Sequence, residues 1–294
     1  MKREISDYAK SVRARLLHLT RTTGHSYMYL LARYFSERLI YRVSRSRFSD
    51  NFLLKGGSLL YAINGLESRP TVDVDFMAKH IDRNQENLRQ VMREIMGAEC
   101  AEDGVVFELN TLRAEPIAVD NQYPGSRFFV TAHLDTIVFP MSIDLGFGDA
   151  VTPHPVVVEY PTLLQDLPAA NVKAYPLETL IAEKFHTMIE RDVSNSRMKD
   201  FFDCYIILKE KNFDEEILYG AIKATFDNRR LEYNAELQLF SKSFCDDESR
   251  LLRWDQFLKR IGWVPSLPFR EVMDIIARYL QGLYMRYWSE HARD

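Results

Sequence analysis

Asp73 and Asp75 stand two positions apart in the run Pro70-Thr71-Val72-Asp73-Val74-Asp75-Phe76-Met77, where apolar and polar residues alternate. A period of two predicts a strand over 70–77, with Val72, Val74 and Phe76 on one face and both carboxylates on the other. Carboxylates so paired suit hard divalent cations, which they can hold about 3.5–4 Å apart. Such pairs also occur on turns and solvated strand edges, so the pair by itself decides little. Upstream, Gly56-Gly57-Ser58 separates Phe52-Leu53-Leu54-Lys55 from the apolar run Leu59-Leu60-Tyr61-Ala62-Ile63. Glycines at a turn into a helix let the backbone approach a ligand, and a helix N-terminus favours phosphate. An ordinary helix start is the competing reading. It is not a P-loop, because Lys55 precedes the glycines. Acids for a metal and a turn for an anion are the parts needed by phosphoryl or nucleotidyl transfer, in which the protein positions a triphosphate and neutralises its charge.

These residues need elements to hold them. Residues 7–47 carry apolar positions at three- and four-residue spacing around a break at Gly24, which predicts two helices. A helix is expected from the Gly-Gly-Ser turn, then the acidic strand, then an amphipathic helix over 83–97. Strands are expected over Val105 to Leu112, Arg127 to Leu134 and Thr136 to Leu145, the last two parted only by Asp135. The Pro-rich stretch 153–168 reads as a linker. From Pro176 onward the pattern turns helical, with five segments: LETLIAEKFHTMIERD, Met198 to Glu210, Asp214 to Phe226, Leu251 to Ile261 and Phe269 to Trp288. Strands mixed with helices, then helices alone, indicate an α+β fold with an α/β core followed by a helical lobe. The expected division is 1–160 and 161–294.

The chain of 294 residues, 46% hydrophobic and 27% charged, can bury a full core without disulfides. No apolar run reaches membrane-spanning length and the first residues lack a signal-peptide core, so a cytoplasmic protein with no membrane partner is expected. Cys100, Cys204 and Cys245 stand far apart and read as buried thiols. Net charge is −4, but residues 1–47 alone carry +8, which leaves −12 for the remainder. Clustered Arg and Lys point to a polyanion; a solvated helix face is the alternative.

A turn of Gly-Gly-Ser, a helix and then a strand bearing Asp-x-Asp is the order found in the polymerase-beta-like nucleotidyltransferase superfamily. The segments FLLKGGSLLYAI, RPTVDVDF, MSIDLGFGDA, YPLETLIAEKFHTMIER and NSRMKDFFDCY, in this order, resemble the AbiEii/AbiGii toxin family of nucleotidyltransferases, including its MenT-like members. The resemblance runs from about residue 10 to residue 230. It implies a mixed sheet with flanking helices and a helical C-terminal lobe that completes the active site. It also implies NTP as co-substrate, Mg²⁺, and a cognate antitoxin that is often a winged-helix repressor. Some relatives add nucleotides to the 3′ end of tRNA and arrest translation, which makes RNA, and tRNA above all, the expected acceptor.

Carried over by position, Gly57 and Ser58 would hold the triphosphate, Asp73 and Asp75 the metal, and Lys184 and Asp200 would act in catalysis beside Arg197 and Lys199. Lys184, Met188 and Arg191 fall on one helix face, so Lys184 and Arg191 could project together toward phosphate, while Asp200 and Asp203 lie one turn apart on the next helix. A surface ion-pair network is the competing reading. Asp144 is the candidate third metal carboxylate, with Asp149 as an outsider; Asp144 could instead merely end a strand. Fourteen residues separate Ser58 from Asp73, a longer spacing than is common in the superfamily. Transfer to a small molecule or a protein hydroxyl remains an alternative activity, and a binding module without activity a third.

Overall fold

The structure is a computed structural model that describes residues 2–117 and 125–291, with side chains from Asp7 onward. Lys2, Arg3 and Glu4 of the basic region therefore lie outside the described side chains. The chain divides into two compact units, residues 1–148 with 155–175 and residues 149–154 with 176–294.

The first unit opens with α1 (Lys2–Thr23) and α2 (Tyr27–Arg45), parted at Gly24, whose φ is +75°. The Ser26 hydroxyl caps α2 by accepting from Tyr29 N–H. Then come β1 (Phe52–Leu54), α3 (Gly56–Asn64), β2 (Val74–Ala78), α4 (Gln85–Met96), β3 (Val105–Ile117), β4 (Gly125–Leu134), β5 (Ile137–Phe147), β6 (Val156–Tyr160) and β7 (Ala170–Ala174). All seven strands form one mixed sheet in the order β3-β4-β5-β2-β1-β7-β6. Asp135, at φ +55°, turns β4 directly into β5.

Val74 and Phe76 are buried as the alternation requires, and burial of such side chains contributes roughly 1.5–3 kcal/mol each. The strand, however, begins at Val74. Val72 is 57% exposed and lies outside it, because pairing with β1 and with β5 starts only beyond Asp73. The long spacing before the acids is taken up where α3 stops: Gly65, at φ +57°, leads into a 3-10 turn, Gly65–Glu67. The Pro-rich stretch read as a linker contains β6, which pairs antiparallel with β7, and β7 runs parallel to β1. Proline at 155 and 161 flanks β6 without interrupting its ladder, which periodicity alone does not reveal.

The second unit holds α5 (Leu177–Arg191), α6 (Met198–Glu210), α7 (Glu215–Arg229), a short α8 (Lys242–Cys245), α9 (Glu248–Ile261) and α10 (Phe269–His291). Asp214 and Asp247 cap α7 and α9 through their carboxylates, and Gly262 ends α9 at φ +69°. An aromatic cluster of Phe202, Trp254, Phe257 and Phe269 fills the core, with the Trp254 indole N–H donating to the Leu267 carbonyl at 2.7 Å. Of the cysteines, Cys204 is buried as expected, whereas Cys100 and Cys245 are only partly covered.

Candidate active site

In the sheet unit the Gly-Gly-Ser turn and the two aspartates are built as one piece. The Lys55 N–H donates to the Asp75 carbonyl at 3.0 Å, which carries the β1–β2 pairing up to the turn. Gly56 follows at φ +59°, and a Cβ there would collide with Asp75 Oδ2. Glycine is thus required twice, for its backbone and for the carboxylate seated against it. A Cβ on Gly57 would meet Thr71 Oγ1 at 2.7 Å. Ser58 is fully buried and its hydroxyl donates to the Asp73 carbonyl at 3.0 Å. Ser58, which with Gly57 the resemblance would have hold the triphosphate, has its hydroxyl turned inward, where it holds the acidic segment in place. Backbone N–H groups at the start of α3 are what this turn can offer an anion.

Asp73 and Asp75 are both half-buried. The Ser142 hydroxyl donates to Asp73 Oδ1 at 2.7 Å and fixes that carboxylate. Asp75 lies directly beside Asp144 in the parallel β2–β5 register, and Asp144 beside Arg127 in the antiparallel β4–β5 register. The Arg127 guanidinium grips Asp144 with two prongs, Nε to Oδ1 and Nη2 to Oδ2, each at 2.6 Å. That hydrogen bonding raises the Arg127 pKa, and the charges of Asp73 and Asp75 add to it. Arg127 and Ser142 were not singled out in the sequence. Each lies in a predicted strand, but which residue faces Asp73 or Asp144 depends on cross-strand register.

In the helical unit, Lys184 on α5 is buried, and its ammonium sits 2.8 Å from both Asp200 and Asp203 of α6. The i, i+3 spacing puts the two acids on one face. Arg197, preceding α6, adds a bond to Asp200 at 2.5 Å. Burial would push the Asp200 carboxyl up, but Lys184 and Arg197 outweigh it and hold the group below the ordinary carboxylate value. The structure thus joins Lys184 to Asp200, as a buried cluster in place of a surface network. Arg191 does not join it: seven residues on, it is exposed in the last turn of α5, about 10 Å along the axis. Lys199 is exposed as well. Asp149 belongs to this unit, where Arg229 bonds both it, at 2.9 Å, and Glu183, at 3.1 Å. Beside them His186 is buried, and burial together with the Arg229 charge lowers its pKa to about 4.

The basic N-terminal region is only partly a surface: Lys10, Arg13, Arg21, Arg45 and Arg47 are exposed. Arg33, Arg38 and Arg42 are buried. Arg42 clasps Asp103 at 2.7 and 3.2 Å and the Val105 carbonyl at 3.1 Å. Arg38 pairs with Glu37 and donates to the Pro168 carbonyl, while Arg33 lies over the Tyr61 ring at 4.8 Å. Arg13 and Arg47, both exposed, and the half-buried Arg15 have acidic partners in Asp135, Glu94 and Asp166 respectively. Counting charge along the chain missed this because the partners are distant in sequence. No helix among the described residues is long and apolar enough to cross a membrane.

Comparison with known proteins adds the family. A model described as nucleotidyl transferase AbiEii toxin, type IV toxin–antitoxin system, matches residues 38–275. No curated protein sequence matches. Among solved structures, the chain is similar to MenT4, a nucleotidyltransferase toxin from Mycobacterium tuberculosis, at TM-score 0.56 and 13% identity, covering 96% of this chain and 98% of that one. It is similar also to JHP933 from Helicobacter pylori, at TM-score 0.52 and 12% identity, covering 91% and 97%. At such identities the structures speak for the fold, a mixed sheet with flanking helices and further C-terminal helices, and the family match speaks for the activity. The chain belongs to the AbiEii family of nucleotidyltransferase toxins.

Proposed function

We propose that this nucleotidyltransferase moves an NMP unit from an NTP to an RNA acceptor, with the tRNA 3′ end as the favoured target, and that Mg²⁺ bound through Asp73 and Asp75 serves the reaction. The observation that carries the reading is the seat of Asp75. Its carboxylate rests where a Cβ would stand on Gly56, at the first residue of α3, so a metal-ligating acid and the anion-favouring end of a helix share one spot. Two hard oxygen donors on a half-buried segment fit Mg²⁺, which when bound supplies positive charge for the triphosphate. The chain's own part is to fix Asp73 through Ser142, to seat Asp75 on Gly56 and to present backbone N–H groups to phosphate. Lys184 and Asp200 serve the same reaction in this reading, as the family motifs imply. Growth arrest would be relieved by a cognate antitoxin, a winged-helix repressor by the same resemblance.

The test is incubation of the purified protein with each labelled NTP and total cellular RNA. Label should enter the tRNA fraction, and chelation of divalent ions or Asp75→Asn should abolish it. The burial of Arg33, Arg38 and Arg42 favours a second reading, transfer to a small-molecule or protein hydroxyl, since it removes cations counted toward RNA binding. Label that enters metabolites or protein but never RNA would establish that reading and refute the first.

A further inference from the structure

Strands β3, β4 and β5 turn one face to the helices of their unit and carry a different set of side chains on the other. Phe128 and Val130 of β4 and Ile143 of β5 are buried on the helix side, where Phe139 stacks on Phe35 of α2. On the opposite side the strand register aligns residues in rows. The row Ser142, Phe129, Arg113 starts at the candidate site, because the Ser142 hydroxyl is the one that donates to Asp73. At its far end the Arg113 guanidinium lies over the Phe129 ring, 4.0 Å from the centroid. An ion pair with Glu115, two residues on along the same face, holds that guanidinium in place. The Arg113 side chain is still 60% exposed, so the outer side of the stack meets solvent.

We propose that the Phe129–Arg113 stack is the platform for the terminal base of the acceptor RNA, whose ribose hydroxyl then points along the row toward Asp73. This rests on the nucleotidyl-transfer reading with an RNA acceptor. Unpaired bases stack on aromatic rings and on guanidinium planes, a contact open to every base because each has a π-face. Phe129 stands two strand spacings from the acidic segment, roughly 10 Å, a span that one nucleotide bridges from its base to the phosphate it receives. A protein partner fits this face less well, since the centre of a protein interface is depleted of charge. Here charged groups stand nearest the acids, and the exposed large apolar side chains, Val106 and Val138, lie together in the row farthest from them. Lysine in place of Arg113 would keep the charge but lose the plane on which a base can lie.

The experiment uses the full chain and mixed tRNA whose 3′-terminal base is replaced by 2-aminopurine, a base that loses fluorescence when it stacks. The parent should quench this tRNA and use it as acceptor. Arg113→Lys and Phe129→Leu should lose most of the quenching and raise the KM for the tRNA about tenfold, with the KM for NTP unchanged. Arg113 is exposed, so Arg113→Lys carries the test even if Phe129→Leu does not fold. Quenching and tRNA KM that stay at parent values in Arg113→Lys would overturn the inference and leave the proposed function intact. Quenching of 2-aminopurine riboside triphosphate, with the tRNA probe unquenched under conditions of transfer, would assign the stack to the NTP and overturn it as well. A parent that labels no RNA with any NTP would sink the RNA-acceptor reading itself, and this inference with it.

Discussion

The two acidic clusters of this protein use the same residue types to opposite ends. Asp73 and Asp75 are half-buried; the Ser142 hydroxyl donates to Asp73 and the Asp75 carboxylate is seated against Gly56. Asp200 and Asp203 are about 2% exposed, and a lysine from the same unit lies between them. In the function proposed above the first pair takes a cation from outside, whereas the second has a lysine between its acids. Removing a charge should therefore cost activity in the sheet unit and stability in the helical one, because an unpaired buried charge is expensive while a half-exposed one is hydrated.

The largest effect should be on the rate. Asp73→Asn or Asp75→Asn should lower transfer at least about a thousandfold, roughly 4 kcal/mol of transition-state stabilisation, while the urea midpoint moves by less than about 1 kcal/mol. Full activity in either variant would break the comparison at its first half. Lys184→Ala tests the second half: it leaves Asp200 and Asp203 buried without their ammonium and should cost about 3–5 kcal/mol of stability by denaturant unfolding, besides its effect on transfer. An unchanged midpoint would mean that the cluster is better hydrated than its burial indicates. Arg42→Ala should cost about 3 kcal/mol by stranding Asp103, whereas Arg47→Ala, which loses only an exposed pair with Glu94, should stay within about 0.5 kcal/mol. Equal effects would return the N-terminal arginines to the surface role that their spacing suggested.

A further effect is in pH. His186 has a folded pKa of about 4 against an ordinary 6.5, so the unfolded chain takes up the proton first as pH falls. The stability it contributes is fully present above pH 6.5 and is lost between pH 6.5 and about 4, to the extent of up to about 3 kcal/mol. Asp200 acts in the same direction at lower pH, since its depressed pKa stabilises above the ordinary carboxylate range and fails below it. Urea titrations at stepped pH should show the upper slope in the parent and not in His186→Leu; a slope that persists would assign it to another group.

What the residues revealed in advance follows from how local each feature is. The two N-terminal helices, the turn into α3, the β4–β5 hairpin and the long C-terminal helices are set by neighbouring residues, and periodicity finds them. The short β1 and the strands β6 and β7 escaped, since three to five residues between prolines and turns carry too little pattern, and their partners lie far along the chain. The site divides the same way. Asp73 and Asp75 were visible as spaced residue types, and Lys184 and Asp200 through the motifs of the family that the sequence resembles. The grip of Arg127 on Asp144, the tie of Ser142 to Asp73 and the partners of Arg42 were not, because each joins residues 17, 69 and 61 positions apart. The inward turn of Ser58 was hidden for a related reason: a hydroxyl can serve ligand or backbone, and only packing decides.

The parallel pairing of β2 with β5 has a consequence for the order of folding. Between those strands the chain must first make α4, β3 and β4, so the acidic row is assembled from segments that cannot meet until residue 147 has been synthesised and the hairpin has docked. Loop closure over such a distance is slow compared with local helix or hairpin formation. A nascent or partly folded chain therefore carries Asp75 without Asp144 and Asp73 without Ser142. Pulse-labelling hydrogen exchange should find the β2–β5 amides protected after those of β4–β5. A toxin with this topology gains its chemistry late in folding, after most of its local structure has formed.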